Sequence, residues 1–145
     1  MIWLLRHAHA EDGSPDAGRP LSAKGEAQAR AVGRALARLE SDLDACVTSP
    51  KVRARETARL ACEGLGLEVI EDDRLGGGPF DATSIAAEHG QDVMLVGHDP
   101  DFSAAVHTLT GAQVRLPKSA LVGVDRGELK VLLRPSELAV LAGVG

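Results

Sequence analysis

The sequence predicts an α/β protein, a three-layer α/β/α sandwich with a mostly parallel central sheet. Three observations predict it. Short apolar runs alternate with helical patterns along the chain. No internal repeat or low-complexity linker interrupts the alternation. Three of the runs pass directly from strand to loop or helix through residues that bear chemistry, which is where ligands bind in open parallel sheets.

The first element is the apolar run Ile2–Leu5, read as a buried strand. Residues 8–20 are polar and contain Gly13, Pro15, Gly18 and Pro20, so they form a loop. Ser22 is placed to cap a helix running to about Glu40. Ala31, Val32, Ala35, Leu36 and Leu39 make its apolar stripe, and Arg30, Arg34 and Arg38 its solvated face. Ala45–Thr48 is the second strand. Ser49 and Pro50 open the next helix, serine as cap and proline in the first turn, and it ends near Gly64. Leu67–Ile70 is a third strand, followed by a glycine-rich loop over residues 71–81. Ala82–Glu88 makes a short helix, Val93–Val96 a fourth strand, and a helix after Pro100 runs to about Thr110. Ala120–Val124 and Glu128–Leu133 form a hairpin around Asp125, Arg126 and Gly127. The tail from Pro135 is a short helix or a loose end.

The 145 residues are the size of a single domain, expected to span the whole chain, and 44% are hydrophobic. Trp3, Phe80 and Phe102 are the only aromatics, so the core rests on aliphatic side chains and alanine. With so few aromatics and a net charge of −5, neither a base-stacking platform nor a broad basic field for nucleic acid is expected. No apolar run approaches the ~20 residues of a membrane span. The start of the chain lacks the basic leader and long apolar core of a signal peptide. A cytoplasmic protein is therefore expected, with no membrane partner. Cys46 and Cys62 suggest neither a disulfide framework nor a metal site and are read as buried free thiols.

Three segments carry the candidate chemistry. Arg6 and His7 end the first strand. Thr48-Ser49-Pro50 leads to Arg53 in the first turn of a helix, where the helix dipole and free N–H groups favour an anion. Gly97 and His98 end the fourth strand. If those strands are neighbours, two imidazoles and two guanidiniums share one small space.

Leu5-Arg6-His7-Ala8, then Thr48-Ser49-Pro50 with Arg53-Ala54 and Glu56-Thr57-Ala58, then Val96-Gly97-His98, resemble in order the three signatures of the histidine phosphatase superfamily, the phosphoglycerate mutase-like group. Arg19-Pro20-Leu21-Ser22 with Gly25 and Gln28-Ala29 resembles the start of its first helix. The resemblance covers residues 2 to about 110, and the compact chain is most similar to the SixA-type bacterial phosphohistidine phosphatases. It implies a phosphoglycerate mutase-like fold, a phosphorylated His7, and a phosphate held by Arg6, Arg53 and His98, without metal or cofactor.

The residue types suit this chemistry. A neutral imidazole is nucleophilic at pH 7. Arginine forks match phosphate oxygens and carry permanent charge. His98, when protonated, would add a third positive donor. The chain departs from the pattern in having Ala8 where Arg-His-Gly is usual. The glutamate that many members carry after the third strand falls among Gly76, Gly77 and Gly78, while Glu71, Asp72 and Asp73 sit early. Asp99 is read either as a general acid or as a helix cap. His9 lines the pocket or lies in solvated loop. His89 and His107 are read as structural, and Arg55 and Arg59 as solvated partners of Glu56 and Glu63. Arg19, Lys118 and Ser119 lie where they could reach the mouth.

A missing acid favours a phosphorylated imidazole over an alkoxide leaving group. The leading expectation is thus a phosphohistidine protein phosphatase, monomeric, with an open site. The runner-up is a small-molecule phosphomonoesterase acting on a sugar or nucleotide phosphate. A mutase would need a closed pocket. From another class, a non-catalytic phosphate-binding module would not require the nucleophile.

Overall fold

The computed structural model describes residues 1–143. Six strands form one sheet: β1 (Ile2–Arg6), β2 (Ala45–Thr48), β3 (Val69–Glu71), β4 (Val93–Gly97), β5 (Leu121–Asp125) and β6 (Glu128–Leu133). Their order is β3-β2-β4-β1-β5-β6. The first four are mutually parallel, and β5 and β6 extend the sheet antiparallel to their inner neighbours.

Five α-helices cover the sheet: α1 (Ala23–Arg38), α2 (Val52–Cys62), α3 (Ala82–Ala87), α4 (Asp101–Thr110) and α5 (Pro135–Leu141). Period-2 alternation in the strands sends residues to opposite faces. Trp3, Leu5, Cys46, Met94, Val96 and Leu121 pack against α1, α2 and α5. Leu4, Val47, Val93, Leu95 and Val122 pack against α3 and α4. The chain steps outward from β1 to β2 to β3 through α1 and α2 on one face. It returns to β4 through α3 on the other, the arrangement right-handed crossovers require. None of these helices is long and apolar enough to cross a membrane.

Local chemistry explains most boundaries. Ser22 Oγ accepts the Gly25 N–H at 3.0 Å and caps α1. Leu39 lies past the end of that helix and is exposed, not part of its stripe. Arg126 (φ 51°) and Gly127 (φ 76°) close the β5–β6 hairpin with two left-handed residues, the turn whose twist matches the strands. The tail from Pro135 is helical, with Glu137 accepting the Arg134 N–H.

The start of α2 differs from the expected one. Lys51, not Ser49, is the cap residue, and the helix begins at Val52. Ser49 lies two residues before that cap, and its hydroxyl accepts the Lys51 N–H rather than one from within the helix. The third strand starts two residues later and ends one residue later than expected, since β3 takes its register from Cys46, Val47 and Thr48 opposite Val69, Ile70 and Glu71. Both cysteines are buried and free. Arg55 pairs with Glu71 at 3.1 Å rather than with Glu56, because Glu56 turns inward to accept the Leu21 N–H.

Candidate active site

The order β2-β4-β1 brings three carboxyl ends side by side, with Arg6 opposite Gly97 and Thr48 opposite Val96. The backbone continues the sheet's bonding past these ends. His7 N–H donates to the Gly97 carbonyl at 2.9 Å and Ser49 N–H to the Val96 carbonyl at 2.9 Å. Ser119, with φ 67°, directs its N–H to the carbonyls of both Arg6 and His7. Arg6 and His7 are thereby fixed where the chain leaves the sheet.

All four residues read as the phosphate cluster line one cavity of about 270 Å3 at this edge: Arg6, His7, Arg53 and His98. The His7 and His98 rings lie 5.3 Å apart between centroids, tilted by 54°. Arg19, Lys51 and Lys118 add positive charge to the wall, and Asp99 and Asp101 add two carboxylates. Larger grooves exist elsewhere, such as one of about 470 Å3 between α1 and α5, but none gathers this set of groups. Among the described residues no group of three or more His, Cys, Asp and Glu side chains is placed to hold a metal ion.

The orientation of His7 is set by its own neighbour. Its Nδ1 lies 2.8 Å from the Ala8 carbonyl. A carbonyl can only accept, so Nδ1 carries the proton and Nε2 keeps its lone pair. Ala8 is itself held, its N–H donating to Thr57 Oγ1, which donates onward to the Arg53 carbonyl. One buried threonine on α2 thus ties the nucleophile's segment to that of a phosphate-site arginine.

Burial pulls the His7 pKa down to about 4; the Ala8 carbonyl opposes this, and Arg53, Arg6 and Lys118 add to it. Burial, followed by the neighbouring His7, Arg53 and Lys51, pulls His98 down to about 3. Both rings are therefore neutral at pH 7 in the free protein. His98 is a neutral donor or acceptor there, and the positive charge that its protonation would add is not present in the free protein at that pH.

The Arg6 guanidinium is anchored by Nη1 to the Leu116 carbonyl at 2.7 Å, and its buried Nε has no protein partner. Arg53 is held by Asp16, a residue no sequence signal singled out. Nη1 donates to the Asp16 carbonyl at 2.9 Å and Nη2 to its carboxylate at 3.2 Å. Arg19 donates to the other oxygen of the same carboxylate. The two guanidiniums, Arg19 first, hold the Asp16 pKa below the usual range.

The Asp99 side chain lines the cavity, but its oxygens accept the N–H and hydroxyl of Ser103 on α4. Asp101 accepts the Gly78 N–H, pinning the glycine-rich loop beside the site. Glu71 pairs with Arg55, and Asp72 with Arg74. His9 does not line the cavity; its ring is bonded to Ser22 Oγ at 2.6 Å and helps to seat α1. His107 is exposed on α4 and His89 follows α3, both away from the cavity. Lys51, Asp101 and Ser49 were likewise not assigned to the site by sequence reasoning. Ser49 was hidden by its resemblance to a helix cap.

The sequence profile of the histidine phosphatase superfamily (branch 1) matches residues 2–77. The chain belongs to that superfamily. An uncharacterized protein from Picosynechococcus sp. is 31% identical, with the match covering 90% of this chain and 87% of the relative. Among solved structures, the Agrobacterium tumefaciens protein assigned as phosphohistidine phosphatase SixA superposes with a TM-score of 0.77 at 27% identity. That match covers 92% of this chain and 97% of the other. A protein histidine phosphatase SixA solved with tungstate superposes with a TM-score of 0.79 at 20% identity, over 94% and 98% of the two chains, and shares the fold. Together these place the chain among the SixA-like members, and its activity class is phosphatase.

Proposed function

We propose that this chain hydrolyses phosphohistidine on a partner protein, through a phosphoryl group carried transiently on His7. The observation that carries the proposal is the pairing of a free nucleophile with engaged carboxylates. His7 Nε2 has its lone pair available. Asp99, Asp101 and Asp16 all accept hydrogen bonds from protein donors. A leaving alkoxide needs a proton delivered to it. A phosphorylated imidazole takes up a proton from solvent on its other ring nitrogen, so the ring departs as neutral imidazole, a far weaker base than an alkoxide, with no acid from the protein. The likeness to the Agrobacterium tumefaciens protein supports the same substrate class.

In the proposed reaction, His7 Nε2 attacks phosphorus in line, and the phosphorus–nitrogen bond of the substrate breaks as the new one forms. The departing ring, already protonated from solvent on its other nitrogen, leaves as neutral imidazole. Water then attacks the phosphorylated His7, releasing inorganic phosphate and restoring the ring. Arg6 and Arg53 hold the phosphoryl oxygens and offset their charge, which is most of what such a transfer asks of a protein. His98 donates to the same group. Removing one donor of this kind costs on the order of 10²–10³ in rate.

The purified protein, given a radioactive phosphohistidine protein and quenched rapidly, should show acid-labile label on His7. The His7→Ala variant should show none. A phosphohistidine protein should also turn over far faster than simple sugar phosphates. Equal rates on the two would sink the substrate assignment, and absence of label would leave only phosphate binding.

A further inference from the structure

Ser49 is fully buried. Its Oγ accepts the Lys51 N–H at 3.2 Å and lies 2.8 Å from His98 Nε2. That second contact admits two proton arrangements. With the proton on Nε2, the ring donates to the serine. The serine's own proton then has no acceptor in its buried surroundings, and Nδ1 is a bare lone pair. With the serine donating to Nε2, the hydroxyl donates once and accepts once, and the ring proton resides on Nδ1. Each arrangement leaves one buried donor without a protein acceptor, the serine O–H in the first and the Nδ1–H in the second, but the first also leaves the Nδ1 lone pair unpaired, so the second satisfies one more group.

His98 Nδ1 is itself buried and has no protein partner. An unpartnered N–H is costly inside a protein unless a ligand takes it up. The ring that bears it lines the cavity beside Arg6, His7 and Arg53. We propose that Ser49 is a positioning residue that holds His98 in its Nδ1–H form, leaving that N–H to donate to a phosphoryl oxygen of the substrate. The inference rests on the phosphoryl-transfer reading of the cavity. It gives His98 a role that needs no proton uptake: the donor is in place before substrate arrives. The same logic governs catalytic triads, where the wrong tautomer disables a correctly placed ring.

Nuclear magnetic resonance of the full chain with isotope-labelled histidine reports which ring nitrogen carries the proton. The His98 proton is expected on Nδ1, in the free protein and with inorganic phosphate. Ser49→Ala should move a measurable share to Nε2 and lower kcat by about tenfold to a hundredfold, the scale seen when metal-bound histidines lose an orienting partner. Ser49→Thr should restore both. In a His98→Ala background, Ser49→Ala should cost nothing further. His98→Asn, whose amide nitrogen falls near the place of Nδ1, should retain more activity than His98→Gln. An Nε2 proton in the wild type overturns the proposal, as does an equal loss from Ser49→Ala in both backgrounds. The tautomer in the free protein is read without substrate, so it stands or falls separately from labelling of His7.

Discussion

Asp16 gives Arg53 an anion before any phosphate arrives. Two bonds hold the guanidinium, one to the backbone carbonyl and one to the carboxylate. Only the second is charged, and it alone competes with substrate. Asp16→Asn keeps the carbonyl that orients the fork and removes a full negative charge from the edge of the site. The carboxylate and an incoming phosphate repel each other, weakly because the carboxylate is solvated and screened. Inorganic phosphate should therefore inhibit Asp16→Asn severalfold more tightly than the wild type, an effect that an inhibition assay at low salt reads directly. Weaker inhibition would mean that the carboxylate serves chiefly to orient Arg53. Asp16 was not legible in the sequence because a loop residue between Pro15 and Gly18 has no period and no cap position to mark it. Arg6, His7 and His98 were legible because strand ends are marked by where apolar runs stop. Ser49 misled for a physical reason: serine before proline before a helix satisfies the rules for a cap, and nothing in spacing reveals a buried imidazole behind it.

Helix contacts show the same division at the scale of elements. Periodicity located α1, α2, α4 and the hairpin, but it does not report how closely two backbones approach. At Gly33, in the middle of α1, a Cβ would lie 2.3 Å from the Ala61 carbonyl oxygen of α2. At Gly25, in the first turn, it would lie 1.9 Å from the His9 carbonyl oxygen. Alanine is favoured over glycine in a helix by about 1 kcal/mol, yet overpacking costs about 1–3 kcal/mol and here involves backbone that cannot turn aside. Gly33→Ala should lower the urea midpoint with little change in kcat, since α2's C-terminal half is remote from the cavity. Gly25→Ala should lower both, because the displaced segment begins two residues after His7. An unchanged midpoint in both variants would show that α1 shifts freely over its neighbours. The boundaries that sequence reasoning misplaced, at β3 and at the start of α2, are set by pairing with β2 and by the Ser49 bonds, neither of which is local.

Across the whole molecule, strand order decides everything about the site, and strand order was only conditional in the sequence. The chain had to skip a position between β1 and β2 and later fill it with β4. That insertion buries both imidazoles together, and burial has a consequence for stability. An unfolded histidine titrates near 6.5; His7 and His98 in the fold titrate near 4 and 3. Between those values the unfolded chain binds more protons than the folded one, so stability rises with pH and is lost as pH falls below about 6.5. From pH 7 to pH 5 each ring should cost about 2 kcal/mol by this linkage. Urea unfolding at the two pH values should show that loss in the wild type, and His7→Gln with His98→Gln together should remove about 4 kcal/mol of it. Carboxylates contribute equally to both proteins and cancel in the difference. A double variant with the same pH dependence as the wild type would mean that the two rings titrate in the fold as they do in the unfolded chain, so that burial beside Arg6 and Arg53 leaves their proton affinity unchanged.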